Sequence, residues 1–200
     1  MGETAGRLLT VDEFLAWDDG TDRRHQLLRG RVTIMAPAQA VHGALVARLA
    51  GQLALGLPRS CAAISEAGIR PAHHDDTYYQ ADLAVYQADL AVTCRPLEPG
   101  ELYLREPVLV IEVLSPSTEA TDRLMKLDDY RLVPSIQDIL FVATQRIQIE
   151  HWHREGDVWV VASRGPAEQV DLGSLGFGLD VDALYAGLPL GELGATETVT

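Results

Sequence analysis

Lys126 is the one lysine among the 16 Lys and Arg residues of this chain, and it follows Glu112, which lies inside the apolar run Val108–Leu114, by fourteen positions. An ammonium is a compact point charge with a tunable pKa, whereas a guanidinium is a planar, permanently charged fork. A coding bias toward arginine would explain a leftover lysine without any function, so its neighbours carry the argument. An ionised carboxylate inside so apolar a segment is costly unless it is paired, hydrogen-bonded or bound to a metal. Along a strand, Val108, Val110, Glu112 and Leu114 share one face. The carboxylate should therefore emerge near the strand's C-terminal end, where open α/β sheets place ligands. A salt bridge to an arginine would satisfy Glu112 with no chemistry attached.

A second acid shifts that balance. YQADLAV at 79–85 is repeated at once at 86–92, embedding Asp82 and Asp89 in apolar surroundings. Two carboxylates at neighbouring strand ends repel unless a cation lies between them, and hard oxygen donors suit magnesium or manganese. A seven-residue repeat does not match the two-residue period of a strand, so the copies face opposite ways and one aspartate can serve the site.

Asp122, Lys126 and Tyr130 stand at i, i+4 and i+8 on a helix and form one stripe. Pairing of Lys126 with Asp122 would be functionally empty and worth about 0.2 to 0.5 kcal/mol. The chemical alternative folds Lys126 back over Glu112, where it could hold a water nucleophile or stabilise developing phosphate charge. His151 and His153 flank Trp152, so both imidazoles face one side of a strand, an arrangement able to bind zinc. No third ligand stands close in sequence, and an exposed hairpin face is expected there. His73-His74-Asp75-Asp76 reads as a solvated loop. A phosphate-binding glycine loop, a GxSxG elbow and a dinucleotide fingerprint are all missing from the sequence.

The elements that must position these groups can be read from periodicity. Thr10 with Asp12 and Glu13 caps a short helix. Residues 26–35 make two short strands around Arg29-Gly30. Leu45, Leu49, Leu53 and Leu57 stripe a helix over 41–57. Strands follow at 61–71, in the repeat, and at 108–114, which is apolar enough to be central in a sheet. Ser115-Pro116-Ser117-Thr118 starts a helix running to about Leu132 and stopped by Pro134. A strand at 138–143 and a hairpin around Glu155-Gly156 complete an α/β pattern with a mixed sheet.

With 200 residues and 47% hydrophobic content, the expectation is one globular domain over 1–190 and a loose tail over 191–200. No stretch is long and apolar enough to span a membrane, Met1–Leu9 shows no signal-peptide pattern, and a cytoplasmic location is expected. Cys61 and Cys94 lack CxxC spacing and read as reduced packing residues. The net charge of −13 argues against a broad basic surface for nucleic acid, unless carboxylates collect around a divalent ion that restores positive charge locally.

Seven segments together resemble the Uma-type restriction endonuclease family of the PD-(D/E)XK nuclease superfamily. They are HQLLRGRV at 25–32, AVHG ending at Gly43, EAGI at 66–69, ADLAVTC at 88–94, PVLVIEVLSPST at 107–118, DRLMKLDDY at 122–130 and PSIQDILFV at 134–142. The resemblance covers about residues 8–190 and rests most on EVLSPST. It implies a restriction-endonuclease-like core, a mixed central sheet flanked by helices with a C-terminal β-hairpin. In that core Asp89 and Glu112 ligate Mg2+ or Mn2+, the Val113 carbonyl adds an oxygen, and Lys126 completes the site. In much of the superfamily the lysine lies two residues after the glutamate, a position held here by Leu114. ADLAVTC resembles the family's aspartate segment and selects Asp89 over Asp82. The family's proline before the aspartate is replaced by Ala88, and a glutamate common in the family by Gln26, which keeps a carbonyl oxygen but loses a charge. Asp122 and Tyr130 support the site.

The resemblance therefore implies a metal-dependent endonuclease acting on nucleic acid, DNA first, with no membrane partner. A homodimer would place two sites for the two strands of a duplex. A degraded nuclease fold serving as a DNA- or protein-binding module is the alternative, and a metal-dependent hydrolase of another substrate is a third.

Overall fold

The structure is a computed structural model and describes residues 8–23, 25–34, 39–70, 86–115, 119, 123 and 126–190. The first repeat copy with Asp82, the His73–Asp76 loop, most of the Ser115–Thr118 cap, Asp122 and the 191–200 tail lie outside the described residues.

Helix α1 (Val11–Leu15) begins on a reciprocal cap, in which Glu13 N–H donates to Thr10 Oγ1 at 3.2 Å and Thr10 N–H donates to Glu13 Oε2 at 2.8 Å. Strands β1 (His25–Leu28) and β2 (Arg31–Ile34) pair antiparallel, with Leu28 opposite Arg31. The turn between them carries φ of 48° at Arg29 and 76° at Gly30. Two successive positive φ values match the twist of a hairpin, and the glycine removes the Cβ penalty at one of them. Helix α2 (Ala40–Gly56) buries Leu45, Leu49 and Leu53, and Leu57 follows as its cap.

Six strands form the main sheet, in spatial order β3 (Ala62–Ile69), β4 (Tyr86–Thr93), β5 (Pro107–Leu114), β6 (Asp138–Ala143), β7 (Ile149–Glu155) and β8 (Val158–Arg164). Only β5 and β6 run parallel. A parallel pair needs a crossover, supplied by the segment that ends in helix α3 (Leu127–Arg131). Apart from half-buried Val108, every residue of β5 and β6 is buried, as their apolar sequences require for a sheet covered on both faces.

One face packs Leu109, Ile111, Leu140 and Val142 against the leucines of α2. Strands β9 (Gln169–Leu172) and β10 (Phe177–Asp180) and helix α4 (Val181–Tyr185) close that face through Leu172, Leu179 and Leu184. The other face packs Val110, Leu114 and Phe141 against Leu127 and Tyr130, with Leu28 of β1 against the same cluster. The β9–β10–α4 unit was not anticipated from the sequence, because four-residue strands leave too few periods to read.

One expectation is corrected. Cys61 and Cys94 are not reduced packing residues but form a disulfide. The register that sets Ala62 opposite Thr93 brings the flanking cysteines face to face across β3 and β4. Among the described residues, no helix is long and apolar enough to cross a membrane.

Candidate active site

The site grows from a divergence of strands. Strand β4 remains paired with β3 down to Tyr86 opposite Ile69, but it parts from β5 after Leu90, which stands opposite Ile111. Among the described residues, Glu112, Val113 and Leu114 therefore pair only with β6 on their other side. The Val113 N–H, deprived of a β4 carbonyl, donates to Asp89 Oδ2 at 2.7 Å. A side chain thus takes the place of a backbone acceptor, as a buried N–H demands. Asp89 Oδ1 lies 3.1 Å from His42 Nε2 of α2. Glu66, between Ser65 and Ala67 of β3, which stand opposite Leu90 and Ala88, adopts φ of 53°, unusual for a residue with a Cβ.

Glu112 is 2% exposed and points to the face covered by α3. Its Oε1 accepts from Lys126 Nζ at 3.1 Å and from the Tyr130 hydroxyl at 2.5 Å. Lys126 has helical dihedrals, φ −68° and ψ −37°, so Lys126 and Tyr130, four positions apart, project along one side and reach the same oxygen. Removing a carboxylate and an ammonium from water costs several kcal/mol each, about what their attraction returns when further hydrogen bonds complete the site. The Tyr130 hydroxyl is such a bond.

Gln26 sits on β1 two residues from Leu28, on the same side of the strand, so it faces the cluster that encloses Tyr130. Its Oε1 is buried and has no hydrogen-bond partner among the described residues. A buried carbonyl left without a donor loses a bond it would make in water, and an oxygen in that state suits a cation or its water. The Asp89 and Glu112 carboxylates and this amide offer hard oxygen atoms, the donor type that suits magnesium or manganese. His42 is the residue that sequence reasoning missed. It was visible in the AVHG segment, in the first turn of a predicted helix, but nothing linear tied it to Asp89.

A second polar cluster lies elsewhere. His151 is buried rather than on an exposed hairpin face, and its Nε2 lies 2.7 Å from Asp138 Oδ1. His153 Nδ1 lies 2.7 Å from the same oxygen, and Ser174 donates to Asp138 Oδ2 at 2.6 Å. Burial alone would raise the Asp138 carboxyl's pKa, but the bonds from His151, Ser174 and His153 outweigh it and hold the group below the ordinary carboxylate range.

A mixed sheet whose central strand carries a buried glutamate, beside an aspartate at the point of strand divergence, defines a restriction-endonuclease-like α/β protein. The backbone resembles the crystal structure of a protein from Anabaena variabilis ATCC 29413 described as "a putative nuclease belonging to DUF820", with a TM-score of 0.67 and 19% identity over 88% of this chain and 97% of that one. The family described as "Uma2: Putative restriction endonuclease" matches residues 11–183, and the chain belongs to it. Two uncharacterised proteins of Synechocystis sp. (strain PCC 6803) are similar. One, slr1290, is 28% identical over 90% of this chain and 93% of its own length. The other, sll1609, is 24% identical over 76% of this chain and 84% of its own.

Proposed function

We propose that this protein is a divalent-metal-dependent endonuclease that hydrolyses phosphodiester bonds of nucleic acid, with DNA the expected substrate and Mg2+ or Mn2+ the metal. The observation that carries this reading is the convergence of the chain's one lysine and Tyr130 on Glu112, next along β5 to the residue whose N–H holds Asp89. Family membership supports a nuclease. Asp89 and Glu112, with the Val113 carbonyl, would hold the metal, which when bound supplies Lewis acidity and a water of lowered pKa.

The chain's own residues do the rest. Val113 N–H and His42 fix the Asp89 carboxylate in orientation. Tyr130 holds Glu112, and Lys126 places a positive charge where a phosphate's charge develops. Gln26 would orient water through its amide oxygen. The low-dielectric surroundings of Glu112 strengthen each of these interactions. Two copies related by a two-fold axis would cut both strands of a duplex.

The test is cleavage of supercoiled DNA, linear duplex and RNA with Mg2+ or Mn2+. Wild type should cut, and Asp89→Ala, Glu112→Ala and Lys126→Ala should each lose at least about a hundredfold while retaining folded circular dichroism. Absence of cutting on all three substrates with either ion, or a Lys126→Ala protein as active as wild type, would overturn the proposal.

The replacement of the family's glutamate by Gln26, which removes a negative charge from the site, favours one second reading, a module that binds nucleic acid or protein without cutting. Calorimetry with Mn2+ separates the two, since a degraded site takes up no ion and Asp89→Ala then changes nothing.

A further inference from the structure

We propose that Asp138, His151 and His153 form a zinc site, separate from the proposed hydrolytic site, that pins the β9–β10 turn to the sheet. The three donor atoms, one carboxylate oxygen and two imidazole nitrogens, lie within 4.8 Å of one another. They are placed by rigid elements. Asp138 of β6 stands opposite His153 of β7, and Leu140 stands opposite His151, so the three side chains occupy adjacent positions on one face of two paired strands. Sites built on strands hold their geometry better than sites on loops.

The donor chemistry selects the metal. Two imidazoles and one carboxylate suit zinc, whereas magnesium prefers an all-oxygen shell. Both imidazole nitrogens crowd a single oxygen, Asp138 Oδ1, at 2.7 Å each. Around a tetrahedral zinc with bonds of about 2.0 to 2.1 Å, ligand atoms stand about 3.3 Å apart. Accepting the ion therefore means opening each contact by roughly 0.6 Å and losing the proton now shared there.

The surroundings suit the same ion. Asp138 is fully buried, and its other oxygen is held by Ser174 Oγ, the kind of outer bond that orients a metal-ligating carboxylate. The side chain of His153 is 35% exposed, which leaves a path for the ion and a place for a water as fourth ligand. Ser174 lies in the turn between β9 and β10, so the cluster ties the C-terminal unit to β6 and β7. Asp138, Leu140 and Val142 share the face that packs on α2, whereas Glu112 lies on the opposite face with α3. The two sites are thus on opposite sides of the sheet.

The experiment uses untagged full-length protein stripped with a chelator and titrated with Zn2+ by calorimetry, and with Co2+ followed by visible absorption. Wild type should bind about one equivalent of zinc with a rise in melting temperature, and cobalt should give the intense bands of a tetrahedral site with nitrogen donors. His153→Ala and His151→Ala should each weaken zinc binding at least tenfold, while Glu112→Ala should leave it unchanged. If His151→Ala, at the buried position, fails to fold, His153→Gln and the wild-type cobalt spectrum still decide. No zinc uptake by wild type, or uptake that His153→Ala and His153→Gln leave intact, would overturn the site. Loss of zinc binding in Glu112→Ala would also overturn it, by moving the ion to the other face.

Discussion

The Lys126 ammonium lies 3.1 Å from Glu112 Oε1, with both residues under 5% exposed. Breaking such a pair by truncating one partner leaves a charge buried without its counterion, at a cost of about 3 to 5 kcal/mol. Lys126→Ala should therefore lower stability by that order in urea denaturation. The double variant Lys126→Met with Glu112→Gln, which removes both charges and keeps the volume, should recover most of it. A double variant no more stable than Lys126→Ala would refute this account of the pair.

Lys126→Arg keeps the charge but not the chemistry. A guanidinium is a planar fork of five donors that needs several acceptors placed to match it, and the Glu112 oxygen that Lys126 meets is already shared with Tyr130. Cleavage by Lys126→Arg should fall at least about tenfold, corresponding to about 1.4 kcal/mol in the barrier. Wild-type rates from this variant would show that charge alone suffices.

Tyr130→Phe separates stability from metal affinity. The hydroxyl donates to an ionised acceptor, a bond worth about 1.5 to 3 kcal/mol, so the variant should melt lower. The same bond competes with a cation for Glu112 Oε1, and its removal should tighten Mn2+ binding in calorimetry. A parallel loss of stability and Mn2+ affinity would contradict the proposed competition.

The repeat makes its own prediction. Asp89 occupies the point where β4 parts from β5, so Asp89→Asn should abolish cleavage while Asp82→Ala keeps it within about twofold, the size of effect expected of a change outside the site. Activity lost in Asp82→Ala and retained in Asp89→Asn would reverse the assignment of the two copies.

Tyr185 gives a pH signature. Its hydroxyl lies 2.8 Å from the Ala143 carbonyl and 2.9 Å from that of Gln148, and burial pushes its pKa well above the ordinary value. A group whose folded pKa is raised contributes stability that is complete below the unfolded value, about 10 for tyrosine, and is lost as pH climbs toward the folded one. Stability should decline above about pH 10 in wild type and less steeply in Tyr185→Phe, which should itself cost about 1 kcal/mol at neutral pH. Parallel alkaline declines in the two proteins would exclude Tyr185 as the cause.

What the sequence disclosed and what it hid divide along physical lines. Glu112, Lys126 and Tyr130 were legible because a carboxylate in an apolar strand demands a partner and helical spacing puts two donors on one side. The position of β5 at the sheet's centre was legible from its unbroken hydrophobicity. Asp138 was hidden as the first residue of an apolar strand, since only the β6–β7 register sets it beside His151 and His153. The Cys61–Cys94 bond was hidden for the same reason, because its partners meet through the β3–β4 register rather than through local spacing. His42 reaches Asp89 from another element, a relation that no one-dimensional pattern carries.

A chain with one lysine has one internal peptide bond open to a lysine-specific protease, and that bond lies in the crossover between β5 and β6. Since the Lys126 side chain is packed against Glu112, the enzyme can cut only when this region opens. The cutting rate is then a clock for local unfolding of the site, read from a single product pair without any engineered label. An ion or substrate that stabilises the closed form should slow that clock in proportion to its occupancy.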